Sequence, residues 1–278
     1  LIMHLLNVPL NYVLIFGKFG FPEMGTAGAA LGTVIATLIG TAIYFWLGMR
    51  HARQHAFLEA IPNFEQIKTL LKLGLPASIQ QFFFAAGFTV LFWIIAQVGS
   101  DELAVSNVLI NITLVAVLPA LGLGMASASL VSQALGRGDA DDAHRWAWDV
   151  VRVGAVIFIV LGGIMLCLPK LILAGFLHEP HLLELGAWPL RLVGLGILLD
   201  GTGLIMMQSL LGAGASATVM RIGVGLQWIL FLPIAWILGP GLGFGLFTIW
   251  LAFMAYRSIQ AGIFISTWQK RIWSEIKL

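Results

Sequence analysis

Charge is missing from long stretches of this chain: no Asp, Glu, Lys or Arg occurs in residues 24–49, 73–100, 103–136 or 222–256. An α-helix rises about 1.5 Å per residue, so about 20 mostly apolar residues cross a hydrocarbon core of roughly 30 Å. Each of these stretches is long enough to do so. Ordinary soluble domains carry roughly 25% charged residues; here 10% are charged and 59% are hydrophobic. Disorder is excluded by the same composition. A membrane β-barrel would alternate in segments of about 10 residues, whereas these runs are continuous. The expected fold class is therefore all-α, a polytopic membrane protein. Cys167 is the only cysteine, which excludes an internal disulfide framework and a cysteine zinc cluster. A net charge of +2, with no dense basic face, excludes a nucleic-acid partner.

Cutting the chain at its charges and Gly/Pro clusters predicts eight spans, roughly 1–17, 24–48, 70–98, 103–134, 143–168, 183–211, 217–238 and 243–267. The breaks are chemically reasonable, since glycine supplies positive φ and proline fixes φ. Examples are Gly17-Lys18-Phe19-Gly20-Phe21-Pro22-Glu23, Gly99-Ser100-Asp101-Glu102 and Gly239-Pro240-Gly241-Leu242-Gly243. Alternate loops then hold eleven of the fifteen basic residues: Arg50, Arg53, Lys68, Lys72, Arg137, Arg145, Arg152, Arg221, Lys270, Arg271 and Lys277. The opposite loops hold Lys18, Lys170 and Arg191. This bias predicts both termini in the cytoplasm and an integral plasma-membrane protein, a bacterial inner membrane being the expected one. Residues 49–69 read as a cytoplasmic linker, with Asn63 and Gln66 capping a short helix that lays Phe64, Ile67, Leu70 and Leu71 on the membrane surface. Residues 1–48 then precede a six-helix unit at 70–267, and 268–278 form a cytoplasmic tail. The opening Leu1-Ile2-Met3-His4 lacks an initiator Met and a signal-peptide pattern. The expectation is a truncated polypeptide. Asn11-Tyr12-Val13-Leu14 and Gln227-Trp228-Ile229-Leu230, each leading to a glycine-rich loop, form a faint internal echo of the kind secondary transporters carry.

Asp200 is the leading candidate for chemistry. It lies mid-span in Gly194-Leu195-Gly196-Ile197-Leu198-Leu199-Asp200-Gly201-Thr202-Gly203. A charge at that depth costs at least about 2.5–3.5 kcal/mol, so such residues usually face a cavity and work. Burial alone is expected to raise its carboxyl pKa towards neutrality, which suits proton binding. The competing reading is a structural carboxylate bonded to a neighbouring helix. Gly196, Ile197, Gly203, Leu204 and Met207 share its face. Arg257 is the second buried charge, too deep to snorkel easily; it either pairs with Asp200, faces the cavity, or holds two helices together. Asn7 and Asn11 share a helical face on either side of Pro9, which kinks the helix. Ser106, Asn107, Asn111 and Thr113 interrupt another span. Such amides serve an ion or cavity site, or act as interhelical glue worth about 0.6 kcal/mol per contact.

Several motifs carry no chemistry. Arg137-Gly138-Asp139 falls in a cytoplasmic turn. The glycines from Gly239 to Gly245 accompany no strand or phosphate-loop lysine. Pro180 interrupts His178-Glu179-Pro180-His181, so it cannot serve as a helical zinc motif. His51 and His55 lack a third ligand. No nucleophilic set appears at membrane depth, so enzymatic catalysis is not expected.

Four stretches now carry a resemblance. They are Asn7-Val8-Pro9-Leu10-Asn11-Tyr12 with Gly25-Thr26-Ala27-Gly28-Ala29-Ala30; Lys72-Leu73-Gly74-Leu75-Pro76; Leu118-Pro119-Ala120-Leu121-Gly122 through Leu135-Gly136-Arg137-Gly138-Asp139; and Asp200 with Ser209-Leu210-Leu211-Gly212-Ala213-Gly214. Together they resemble the multidrug and toxic compound extrusion (MATE) transporters over essentially the whole chain. The resemblance places the sequence as helices five and six of a first lobe and all six of a second, the first four helices lying outside it. It implies an antiporter that exports drugs or other amphiphilic, often cationic, small molecules in exchange for H+ or Na+, by alternating access between two lobes. Asp200 would be the cation- or proton-linked carboxylate, with Asn7, Asn11, Gln80, Gln81, Asn107, Asn111 and Arg257 as cavity or ion-site support and Met207 and Phe84 as substrate-cavity residues. Some members carry a glutamate eight residues after the proline of helix seven. Phe84 stands at that position here, with Gln80 and Gln81 nearby, so the proton is the preferred coupling ion. No cofactor, metal or obligate protein partner is implied; the expected partners are the small-molecule substrate and membrane lipid. The alternatives are a lipid-linked precursor flippase of related fold, which would want several basic residues in its cavity, and a non-functional truncated remnant.

Overall fold

The computed structural model describes residues 2–52 and 63–275. Arg53, His55, Glu59 and Pro62 of the expected linker, and Lys277 of the expected tail, lie outside them. Among the described residues there is no strand. The helices are α1 (Ile2–Phe16), α2 (Gly25–Leu47), α3 (Phe64–Ala96), α4 (Ser100–Gly136), α5 (Ala140–Cys167), α6 (Pro169–Ala174), α7 (Pro180–Gly212), α8 (Ser216–Gly225), α9 (Leu232–Trp236) and α10 (Gly245–Gln269). The chain is an integral membrane protein: among the described residues seven helical segments are long and apolar enough to cross a membrane, and α1 is a shorter apolar helix. Large apolar side chains cover the outer faces, among them Trp93, Val115, Val156, Leu195 and Ile229.

The chain divides into two compact units, Leu1–Ile67 and Lys68–Leu278. In the first, α1 and α2 form an antiparallel pair. The buried stripe of α2 is Gly28, Gly32, Ala36 and Gly40, one small residue every four. Small residues at that spacing let two helix backbones approach closely in lipid. A side chain at Gly28 would strike the backbone of Leu14, and one at Gly40 would strike Met3.

In the second unit α7 is the central helix, packed on α4, α5 and α10. Contacts fix the directions. Phe158 of α5 lies against Gly201 of α7, and Gly162 lies against Gly194, so these two helices are antiparallel. Ser127 bonds Ser209 at 2.7 Å, and Gly212 abuts Ala128 while Gly124 abuts Gln208, so α4 runs parallel to α7. Gly196 meets Met254 and Gly203 meets Ala261, so α10 also runs parallel to α7. Chain direction therefore alternates as successive long helices demand.

Local chemistry sets the ends. Asn63 and Gln66 exchange reciprocal bonds of 2.9 and 2.8 Å, the expected capping box. The helix they start is not a short surface helix, however. It continues unbroken to Ala96, because no residue after Phe64 interrupts the backbone bonding strongly enough; Pro76 lies inside it. The Arg137-Gly138-Asp139 turn joins α4 to α5: Gly138 takes φ +78°, Asp139 caps α5 through the Asp142 amide at 2.8 Å, and Arg137 pairs with Asp142 at 2.8 Å. His181, expected in a solvated loop, is exposed but bridges Asp101 at 3.1 Å and Glu179 at 3.4 Å.

The span that begins with α8 departs most from expectation. Two π turns, Leu226–Phe231 and Ile237–Gly241, flank the short α9. Pro233 and Pro240 each remove a backbone donor, and a π turn is one way a membrane helix rearranges around that loss. The helical path consequently runs through Gly239-Pro240-Gly241 and breaks at 242–244, later than the glycine cluster suggests. Past α10, Trp273 stacks on Trp268 at 4.1 Å and donates to its carbonyl at 2.8 Å, while His144 of α5 lies parallel to Trp268 on 6.1 Å centroids.

Candidate functional site

Arg257 is the midpoint residue of α10, with twelve residues on either side of it in Gly245–Gln269. At about 1.5 Å per residue that places it roughly 18 Å from each helix end. Its guanidinium Nη2 contacts Oδ1 of Asp200 on α7, and the two side chains are only 11% and 10% exposed. The open question of the sequence is thus answered: the two buried charges are partners. The reading of Asp200 from burial alone considers a carboxylate without a counter-charge, and Arg257 supplies one.

The pair forms because α7 and α10 come close on either side of it. At Gly203 a Cβ would lie 2.6 Å from the Cβ of Ala261 and 2.8 Å from its Cα, so only glycine permits this separation. At Gly196 a Cβ would sit 2.8 Å from the Met254 sulfur, the movable end of a side chain. Gln260 adds a second acceptor for the guanidinium: Arg257 Nη1 donates to its Oε1 at 2.9 Å. A crevice too narrow to hold a water molecule lies beside these groups, lined by Asp200, Gly203, Leu204, Arg257, Gln260, Ala261 and Phe264. Next to Arg257 on α10, Tyr256 is a further hydrogen-bond partner of the guanidinium, stacks on Phe231 at 4.8 Å and meets Phe253 at 5.7 Å. The pair therefore lies between aromatic packing and a narrow crevice.

A further set of amides extends from the crevice. Gln80 of α3 donates through Nε2 to the sulfur of Met207 at 3.4 Å. Both Gln80 and Gln260 approach the backbone of Gly223 on α8, within 3.9 Å of where a side chain would begin. In the first π turn, Gln227 donates to the Phe84 carbonyl at 3.3 Å and Trp228 to the Phe83 carbonyl at 3.1 Å. Gly87 leaves the room that the Gln227 amide occupies.

Of the residues marked from sequence, Asp200 and Arg257 are joined directly, and Gln80 and Met207 are joined to one another near them. Phe84 is partly exposed, packs on Phe88 at 5.0 Å and offers its carbonyl rather than a carboxylate. Gln81 is exposed. Asn107 and Asn111 bond each other at 3.0 Å on the exposed face of α4 and do not join the Asp200 cluster. Asn7 and Asn11 belong to the first unit, where Asn11 donates to Asn7 at 2.9 Å and Asn7 to Thr33 at 3.2 Å; Asn11 Oδ1 is buried without a bonding partner. Sequence reasoning passed over Gln260 and read Gln227 and Trp228 only as part of an internal echo. The signal for Gln260 is its position three residues after Arg257, on the same helical face. Among the described residues no group of three or more His, Cys, Asp or Glu is placed to hold a metal ion.

The MatE family model matches residues 76–237, more than half of the chain. The chain belongs to the MatE family. Among MatE relatives, the probable multidrug resistance protein NorM of Thermotoga maritima is 28% identical over 276 residues, covering 96% of this chain and 59% of that protein. NorM of Rhizobium meliloti is 30% identical over 91% of this chain and 56% of its own length. The uncharacterized transporter YisQ of Bacillus subtilis is 26% identical over 98% and 60%. The chain thus spans about three-fifths of the length of the relatives it matches. The same fold occurs in a MATE crystal structure in the straight conformation, with a TM-score of 0.86 at 18% identity over 98% of this chain and 61% of that one. A MOP superfamily transporter from Pyrococcus furiosus gives 0.84 at 18% identity over 98% and 61%.

Proposed function

We propose that this MatE protein acts as a secondary antiporter, not an enzyme, exporting drugs or other amphiphilic, often cationic, small molecules in exchange for H+ or Na+. The observation that carries the reading is the Asp200–Arg257 pair in the middle of the α7–α10 packing, beside a narrow crevice. A buried ion pair is weak as a stabilising device, because desolvation offsets most of the attraction. Its best use is as a switch between two arrangements. A proton or sodium ion accepted by Asp200 replaces Arg257 as its counter-charge, loosens α10 from α7, and so couples ion occupancy to helix arrangement. This is the local event that alternating access requires. The proton remains the preferred ion, since α3 brings Phe84 and neutral amides rather than a second carboxylate. The names of the NorM relatives support the substrate class.

Basic loops on one side support insertion in a plasma membrane with both termini in the cytoplasm. The flippase alternative is disfavoured because Arg257 is already engaged by Asp200 and Gln260, leaving the crevice without a spare guanidinium for phosphate. The test is ion-driven efflux of ethidium from proteoliposomes holding the product of the complete gene. Asp200→Asn is expected to lower gradient-driven efflux at least tenfold while leaving membrane insertion unchanged. Efflux equal to wild type overturns the assignment.

A further inference from the structure

We infer that Gln260 is a positioning residue for coupling: it holds Arg257 while the coupling ion occupies Asp200, and thereby sets the ion concentration at which the pair opens. This rests on the reading of Asp200 as the coupling carboxylate.

Arginine carries five N–H donors and keeps its charge throughout, so whatever releases it from Asp200 must leave it another acceptor. Gln260 Oε1 is that acceptor. It is three residues away on the same helix, so it travels with Arg257 through any movement of α10 relative to α7. Gln260 is also buried, at 7% exposed, so water does not readily substitute for it. The charged and titratable side chains that face the amide are Asp200 from α7 and Arg257 and Tyr256 from α10; α3 contributes the neutral Gln80 and α8 the backbone of Gly223. Tyr256, adjacent to Arg257 on α10, is the one further hydrogen-bond partner of the guanidinium there, and its neutral phenol is a weaker acceptor than an amide oxygen. Losing Gln260 therefore harms the two states unequally. In the closed pair Arg257 still has the carboxylate. With the ion bound, Arg257 is left with the Tyr256 hydroxyl alone. A glutamate at 260 acts in the opposite direction, because it gives Arg257 a full counter-charge of its own and makes Asp200 easier to occupy.

The experiment measures ethidium efflux from proteoliposomes against pH and against sodium, reading the ion concentration at half-maximal rate. Wild type, Gln260→Leu, Gln260→Glu and Asp200→Asn are compared, each checked for folding by size-exclusion profile. A hydrogen bond to a charged group predicts that Gln260→Leu needs about tenfold more ion, or beyond, and Gln260→Glu needs less than wild type. Opposite shifts from the two variants support the inference. Half-maximal concentrations within twofold of wild type in both, with only the maximal rate lowered, overturn it and leave a packing role. If Gln260→Leu does not fold, the near-isosteric Gln260→Glu decides alone: an unmoved or raised half-maximal concentration overturns the inference. Ion dependence that survives Asp200→Asn, or is missing from wild type, overturns the underlying reading instead.

Discussion

Replacing Arg257 by methionine deletes one charge of a buried pair and strands the other in the middle of the helix packing. The side chains of Asp200 and Arg257 are 10% and 11% exposed, so solvent does not take over the missing partner's role. Breaking such a pair from one side typically costs about 3–5 kcal/mol, whereas replacing both members with apolar residues of similar volume is often neutral or stabilising. The structure separates the two single losses. After Asp200→Leu, Arg257 keeps Gln260 Oε1 at 2.9 Å, which places the cost near the lower figure. After Arg257→Met, Asp200 loses its only ion-pair partner among the described residues, which places the cost near the upper one at neutral pH. The double variant Asp200→Leu with Arg257→Met should recover to within about 1 kcal/mol of wild type, a coupling energy well above the roughly 0.5–3 kcal/mol of ordinary contacts. The assay is equilibrium unfolding of detergent-solubilised protein with rising SDS, followed by circular dichroism. Single variants that each lose less than about 1 kcal/mol, or a double variant that shows their simple addition, refute the reasoning.

Three further outcomes follow from packing. Gly162→Ala places a methyl 2.5 Å from the Gly194 carbonyl and 2.9 Å from Ile197, and should cost about 1–3 kcal/mol; its neighbour Gly163→Ala meets nothing within 4 Å and should be neutral or stabilise by up to about 1 kcal/mol. In the same unfolding assay, equal effects at the two positions would contradict the assigned α5–α7 contact. Trp273→Ala removes a 2% exposed ring stacked on Trp268 and should cost about 3–5 kcal/mol, while Arg271→Ala, which loses a solvent-exposed pair with Asp141, should cost no more than about 1 kcal/mol. Asn63→Ala should weaken the start of α3 by about 1 kcal/mol, seen as faster amide exchange at residues 65–67; unchanged exchange there would dismiss the cap.

The spans were legible because each is a long uncharged run punctuated by turn chemistry, and Asp200 and Arg257 were legible because a charge in such a run is rare. Their partnership was not. It depends on α7 and α10 lying parallel, and that in turn depends on Gly203 facing Ala261, a match between two segments that look alike in hydropathy to many others. Gln260 stayed hidden for a different reason: a neutral amide in a membrane helix marks nothing until its neighbour is known to be held by another helix. The π turn bearing Gln227 and Trp228 leaves no trace in composition, since one extra residue per turn alters direction and not polarity. Asn107 and Asn111 show the reverse case. Their spacing of four suggests a shared site, yet the same spacing lets them satisfy each other on the exposed face of α4.

Because the charges of Asp200 and Arg257 cancel, the middle of the α7–α10 packing carries no net charge when it is empty of ions. A cation or proton on the carboxylate changes that to a net +1 deep within the electric field of an energised membrane. A full elementary charge crossing 100 mV is worth about 2.3 kcal/mol, and about half of that acts on a charge at the midplane. In the antiport cycle proposed above, transmembrane voltage would therefore pull on the loaded protein and leave the unloaded one alone. The loaded half of that proposed cycle should speed up or slow down with voltage, and the return half should be indifferent to it.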